Sequence, residues 1–180
     1  MPAVDGLVRE GIEYKGVLYA GLMLTSNGPK VLEFNCRFGD PETQALLPTL
    51  PGLTRHLVEI ATGGWRPERT ALDAARAAVA TVLAAPGYPD KPELGAAIIV
   101  PRDVEPGTLV FHAGTYRDPD GTLRVHGGRV LTVTALGDTV SEAARRGAAA
   151  CELIVFQGKT YRRDIGWREI RRSGAGAARG

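Results

Sequence analysis

One stretch, residues 16–51, constrains this chain more tightly than any other part of it. Residues 16–25 (GVLYAGLMLT) read as a strand, and Ser26-Asn27-Gly28-Pro29 supplies a turn of the hairpin kind. Residues 30–37 (KVLEFNCR) form the returning strand. Gly39-Asp40-Pro41-Glu42 then announces a helix. Asp40 suits the N-cap, Pro41 the first helical position, and Glu42 complements the positive end of the helix dipole. That helix is predicted to stop near Pro48, and a second to run over 53–62 after the Pro51-Gly52 break.

The second half has a different grain. Residues 63–70 (GGWRPERT) read as a linker, with Trp65 placed to pack two units together. Residues 74–85 are alanine-rich enough for a helix, yet the Val79-Ala80-Thr81-Val82-Leu83 centre running into Gly87-Tyr88-Pro89 favours a buried strand. Further strands are expected over 96–100, 108–112 and 129–136, with a hairpin around Asp118-Pro119-Asp120-Gly121. Thr139-x-x-Glu142 is a capping box opening a helix to about Leu153. The last eight residues, SGAGAARG, have too little to bury and are expected to be disordered. The fold class is therefore α+β: strands with helices over 1–66, a small β-rich, mainly antiparallel domain over 67–172, and a tail over 173–180.

Composition removes several function classes. A hydrophobic fraction of 44% excludes wholesale disorder. The longest nearly apolar stretch, 77–85, is too short to span a bilayer. The opening MPAVDGLVREGIE lacks the apolar core of a secretory signal. Two cysteines, Cys36 and Cys151, make no disulfide framework, so a reducing cytoplasm is expected. The net charge of +2 conceals a basic end, with seven Lys/Arg against two acids over 159–180. A nucleic-acid arm would interleave more lysine and stacking aromatics, so this end reads as solvated and no nucleic-acid partner is expected.

Chemistry concentrates on the second strand. Side chains alternate faces along a strand, so Glu33, Asn35 and Arg37 fall on one side and Leu32, Phe34 and Cys36 on the other. A carboxylate and an amide two residues apart offer the hard oxygen donors that Mg²⁺ takes alongside water and phosphate. A guanidinium one step further can pair with phosphate, and the expected helix start at Asp40 can receive an anion. The plainer reading is a half-exposed antiparallel strand with a polar outer face.

The residues themselves narrow the choice. GVLYAGLMLT followed by GPKVLEFNCRFGDPETQALLP resembles the C-terminal lobe of the phosphoribosylamine–glycine ligase (glycinamide ribonucleotide synthetase) family. The likeness continues through GYP (87–89), VFHAGT (110–115), GGRVLTVTALGDT and YRRDIG (161–166), in the family's order. It implies an ATP-grasp C-terminal lobe followed by the small β-rich domain. It implies Glu33 and Asn35 as ligands of Mg²⁺ (or Mn²⁺), the metal that bridges ATP phosphates. It further implies Arg37 as the residue stabilising the transferred phosphoryl group or acyl-phosphate, and Gly39, Asp40, Pro41 and Glu42 as shaping the substrate pocket. The implied reaction joins glycine to 5-phosphoribosylamine at the expense of ATP. The family also carries an N-terminal substrate-binding domain and a first ATP-grasp lobe. Neither is found in these 180 residues, so the chain is expected not to complete the reaction alone.

Other candidates have simpler explanations. His112 and His126 lack a paired carboxylate or nucleophile at motif spacing and read as hydrogen-bonded structural histidines. His56 reads as a surface residue on its helix. Cys36 and Cys151 read as buried small hydrophobes. Gly127-Gly128 fits a bulge or turn, and Arg145-Arg146 and Arg162-Arg163 read as solvated pairs. The alternative to an enzyme portion is a non-catalytic ATP-grasp-derived binding or docking module, whose uncovered apolar face would drive self-association.

Overall fold

The computed structural model describes residues 2–64 and 76–177. The chain divides into two compact units, one of residues 1–40 with 51–72 and the other of residues 41–50 with 73–180. The part of the linker beyond Gly64, Trp65 included, lies outside the described residues.

In the first unit, helix α1 (Pro2–Arg9) precedes strands β1 (Tyr19–Thr25) and β2 (Gly28–Asn35), and helix α3 (Leu53–Thr62) follows after the excursion into the second unit. The two strands form an antiparallel ribbon closed at Thr25↔Gly28, with Gly28 at a φ of 89° that only glycine adopts readily. β1 is shorter than the apolar run suggests, and β2 keeps the expected length but begins and ends two residues earlier. The ribbon also carries a β-bulge: Gly21 pairs with Glu33 and Leu22 with Val31, which leaves Leu32 without a partner. Leu22, Leu24, Val31, Leu32 and Phe34 are all exposed. Cys36, expected to be buried beside Phe34, is exposed as well, as Phe34 itself is. Helix α3 occupies the expected residues, flanked by Gly52 and Gly63 in left-handed conformations.

The second unit is built on β3 (Ala77–Ala84), β4 (Thr108–His112) and β7 (Arg129–Gly137), in the order β3-β7-β4 with both pairings antiparallel. The ambiguous alanine-rich run is thus a strand, and its pairing with β7 places Leu83 opposite Leu131 and Val79 opposite Ala135. Helix α4 (Val140–Leu153) packs across β3 and β7. Gly147 faces this sheet, where a Cβ would lie at ordinary contact distance, 3.6 Å, from Ala135 Cβ. The core joins Leu83, Leu131 and Val133 to Ala150, Cys151 and Ile154. A two-stranded hairpin of β5 (Thr115–Arg117) and β6 (Leu123–Val125) completes the sheets, turning through Asp118-Pro119-Asp120-Gly121. The strand expected over 96–100 is reduced to isolated bridges, Ala97↔Arg124 and Ile99↔Val155.

Side-chain contacts fix the ends of α4. Thr139 Oγ1 accepts from the Glu142 backbone N–H at 3.1 Å, while Glu142 Oε2 accepts from the Asp138 N–H at 2.8 Å. At the far end Lys159 Nζ donates to the carbonyls of Cys151 and Ile154. Arg146, expected to be solvated, instead braces the unit: it pairs with Glu142 at 2.7 Å and donates to the Leu136 carbonyl at 2.9 Å. Arg162 forks onto Asp164 and Arg163 reaches Glu152. Gly127-Gly128 does not open onto a free surface. Gly114 comes so near that a Cβ on it would lie 2.6 Å from Gly127 Cα.

Two expectations near the chain's elements require correction. The helix after Gly-Asp-Pro-Glu is only α2 (Glu42–Leu46), with Pro41 at the N-cap and no side-chain cap, followed by a 3₁₀ turn over Leu47–Thr49 that accommodates Pro48. Helix α5 (Trp167–Ala177) runs into the segment expected to be disordered, its first turns held by Glu169–Arg172 and Glu169–Ser173 contacts.

Replacing Thr139 by alanine is expected to destabilise the second unit by about 1 kcal/mol in denaturant unfolding. Glu142 is held below the ordinary carboxylate range, first by the Asp138 N–H and also by Arg146. Its contribution is therefore present above its unfolded pKa and disappears as pH falls below about 4.5. Glu142→Gln is expected to flatten the acid side of the stability–pH curve relative to the wild type.

Candidate functional site

The ribbon register brings part of the expected constellation together. Asn35 lies opposite Tyr19 and Glu33 opposite Gly21, so these four positions share one face of the ribbon. Asn35 Nδ2 donates to Glu33 Oε1 at 3.0 Å, which draws the amide and the carboxylate side by side. Both side chains belong to the first unit, and Glu33 is exposed. Among the described residues there is no group of three or more His, Cys, Asp and Glu able to hold a metal unaided. One carboxylate beside one amide is instead the donor set of a hard cation that keeps waters and takes phosphate oxygens from a nucleotide. The residues fit Mg²⁺ or Mn²⁺ on that ground.

Arg37 stands differently from its expected place. β2 ends at Asn35, so strand alternation does not extend to Arg37, whose guanidinium donates to the Phe38 carbonyl at 2.8 Å. Gly39 is buried and Asp40 exposed at the end of the first unit's segment, whereas Pro41 and Glu42 belong to the second unit. A five-residue helix has little dipole to offer, so anion binding at its start loses its physical basis.

Sequence reasoning missed the Leu32 bulge and the placement of Gly21 against Glu33. A glycine within a strand pattern was the available signal, since it marks a bulge or a close approach. It also missed Tyr14. The Tyr14 hydroxyl donates to the Val17 carbonyl at 2.7 Å, and its pKa is pushed up first by desolvation and then by Cys36 beside it. The histidines are structural: His112 Nδ1 lies 3.1 Å from Thr115 Oγ1, His126 packs edge-on against Tyr116, and His56 is partly buried at 3.6 Å from Glu59. No helix among the described residues is long and apolar enough to cross a membrane.

Comparison with known proteins bears on this geometry. Residues 78–168 match the family described as phosphoribosylglycinamide synthetase, C domain, and residues 1–43 match that family's ATP-grasp (A) domain. A phosphoribosylamine–glycine ligase from Caulobacter vibrioides is 46% identical over 94% of this chain and 40% of its own length. The human trifunctional purine biosynthetic protein adenosine-3 is 42% identical over 93% of this chain and 17% of its own. The crystal structure of the Thermotoga maritima phosphoribosylamine–glycine ligase superposes with a TM-score of 0.76 at 40% identity, covering 89% of this chain and 39% of that one. The chain thus spans about two fifths of the length of the ligases it matches.

The two thiols are expected to separate cleanly. Burial pushes the Cys151 thiol up to about 11, whereas Cys36 is exposed. At pH 8 a disulfide reagent is expected to modify Cys36 in the native chain and Cys151 only after unfolding. Equal rates for both thiols would contradict this placement.

Proposed function

Because this chain belongs to the phosphoribosylglycinamide synthetase family, we propose that it is the metal-holding C-terminal portion of an ATP-dependent ligase joining glycine to 5-phosphoribosylamine. The observation that carries this reading is the Glu33–Asn35 donor pair on one strand face. In this reading residues 1–66 form part of the ATP-grasp C-terminal lobe and residues 67–172 the small C-terminal domain. The substrates are ATP, glycine and 5-phosphoribosylamine, and the compartment is the cytoplasm, in keeping with two unpaired cysteines.

The chemistry assigns each residue a task. In the first half-reaction the glycine carboxylate attacks the γ-phosphorus of ATP, giving glycyl phosphate and ADP. In the second the amine of 5-phosphoribosylamine attacks the acyl carbon, phosphate leaves, and glycinamide ribonucleotide forms. A bound Mg²⁺ or Mn²⁺ supplies neutralisation of the charge on the phosphate oxygens. Glu33 and Asn35 hold that ion through their side-chain oxygens. Arg37 gives a fixed positive charge to the transferred phosphoryl group or acyl-phosphate, whose oxygens gain charge as the reaction proceeds. Gly39, Asp40, Pro41 and Glu42 contribute to binding the substrates. The remaining three fifths of the ligase, with the N-terminal domain and the first ATP-grasp lobe, complete the enzyme.

The 180-residue chain is expected to form no ADP dependent on glycine and phosphoribosylamine. Grafted in place of the corresponding part of the Caulobacter vibrioides ligase, it is expected to support that turnover. Glu33→Gln in the graft is expected to lower the rate by at least about 100-fold. Full activity in that variant would count decisively against the assignment.

A further inference from the structure

We propose that Gly21 is a positioning residue for the Glu33 carboxylate, acting by the space its missing side chain leaves on the facing strand. This inference rests on the reading of Glu33 as a metal ligand. Gly21 is buried in β1 directly opposite Glu33. Its backbone is not in the left-handed region, so conformation does not require glycine there. Space does. A Cβ at position 21 would sit 3.1 Å from Glu33 Cγ and 3.7 Å from Glu33 Oε1. Side chains facing each other across an antiparallel pair ordinarily keep their Cβ atoms about 4.5–5.5 Å apart. The Glu33 side chain therefore leans across the ribbon over position 21 instead of standing away from it.

Two further features hold that lean. The bulge at Leu32 falls immediately before Glu33, and an extra residue in one strand turns the side chain that follows it. On the other side Asn35 Nδ2 donates to Glu33 Oε1 at 3.0 Å. The carboxylate is fixed between bare backbone at Gly21 and the side-chain amide nitrogen of Asn35. An alanine at position 21 presses on Cγ, close to the root of the side chain, which must give by a few tenths of an ångström and carries the carboxylate with it away from Asn35. The backbone contact is an ordinary one, 3.7 Å to the Glu33 carbonyl oxygen, so the ribbon itself can persist.

The test is a titration of the grafted ligase with Mn²⁺ in the presence of ATP, followed by paramagnetic broadening of the Glu33 and Asn35 amide resonances. The wild type is expected to show localised broadening that Glu33→Gln removes. Gly21→Ala is expected to need about 10- to 100-fold more Mn²⁺ for the same broadening, with the amide resonances of the ribbon away from Glu33 and Asn35 and the unfolding midpoint unchanged. A residue of merely structural importance would instead move resonances along the whole ribbon and lower that midpoint. If Gly21→Ala titrates like the wild type while Glu33→Gln does not, the proposal fails and the metal-site reading stands. If the wild type shows no broadening, or Glu33→Gln shows as much, both fail. Should Gly21→Ala not fold, the wild type still decides: nuclear Overhauser effects between Gly21 Hα and Glu33 Hγ are required, and their absence overturns the proposal.

Discussion

Strand β7 is the element on which the second unit depends. It has β3 on one edge and β4 on the other, and Val130 through Ala135 are buried without a break. Burial of consecutive residues means that both faces of the strand are covered, so its side chains are mostly apolar. The exceptions, Thr132 and Thr134, are β-branched and still fit a pleated surface. β3 and β4 take their register from it, and α4 packs across it and β3, with Gly147 facing Ala135. The Thr139–Glu142 and Lys159 contacts at the two ends of α4 then set where that helix begins and stops.

The first unit obeys a different constraint. Its ribbon has two strands, so each has one neighbour and much of its apolar surface stays exposed, with Leu24 82% accessible. A ribbon of that kind positions side chains through register more than through packing. The alternation of β2 puts Glu33 and Asn35 on one face. The pairing with β1 puts Gly21 beneath Glu33, and the bulge turns the carboxylate toward the amide. The register thus supplies one carboxylate and one side-chain amide and little else. That is the appropriate set for a cation whose remaining ligands are water and nucleotide phosphates.

Much of this is legible in the amino-acid sequence. Helix α3, the capping box of α4 and the Asp118-Gly121 turn all carry local signals, and each stands where its signal places it; the first hairpin also forms, but its turn is Ser26-Asn27, with Gly28 and Pro29 already in β2. The pairing of Glu33 with Asn35 is legible because strand alternation has a period of two. What cannot be read there depends on contacts distant in sequence or on where regular structure ends. Arg37 leaves the shared face because β2 ends at Asn35. Cys36 is exposed together with Phe34, because that side of the two-stranded ribbon is left open. The helix after Pro41 is five residues long, and its segment joins the second unit, a choice set by tertiary contact and not by the Gly-Asp-Pro-Glu signal. Arg146 reads as solvated because its partner Leu136 lies ten residues away, across the turn from β7 into α4.

The central claim is that Glu33 and Asn35 hold a divalent cation against the phosphates of ATP. Its most direct test is an anomalous-scattering map of the grafted ligase crystallised with Mn²⁺ and a non-hydrolysable ATP analogue. The account predicts a Mn²⁺ peak coordinated by a Glu33 carboxylate oxygen and the Asn35 side-chain oxygen, shared with the nucleotide phosphates. A Mn²⁺ peak on the nucleotide with neither residue in its coordination sphere would contradict it.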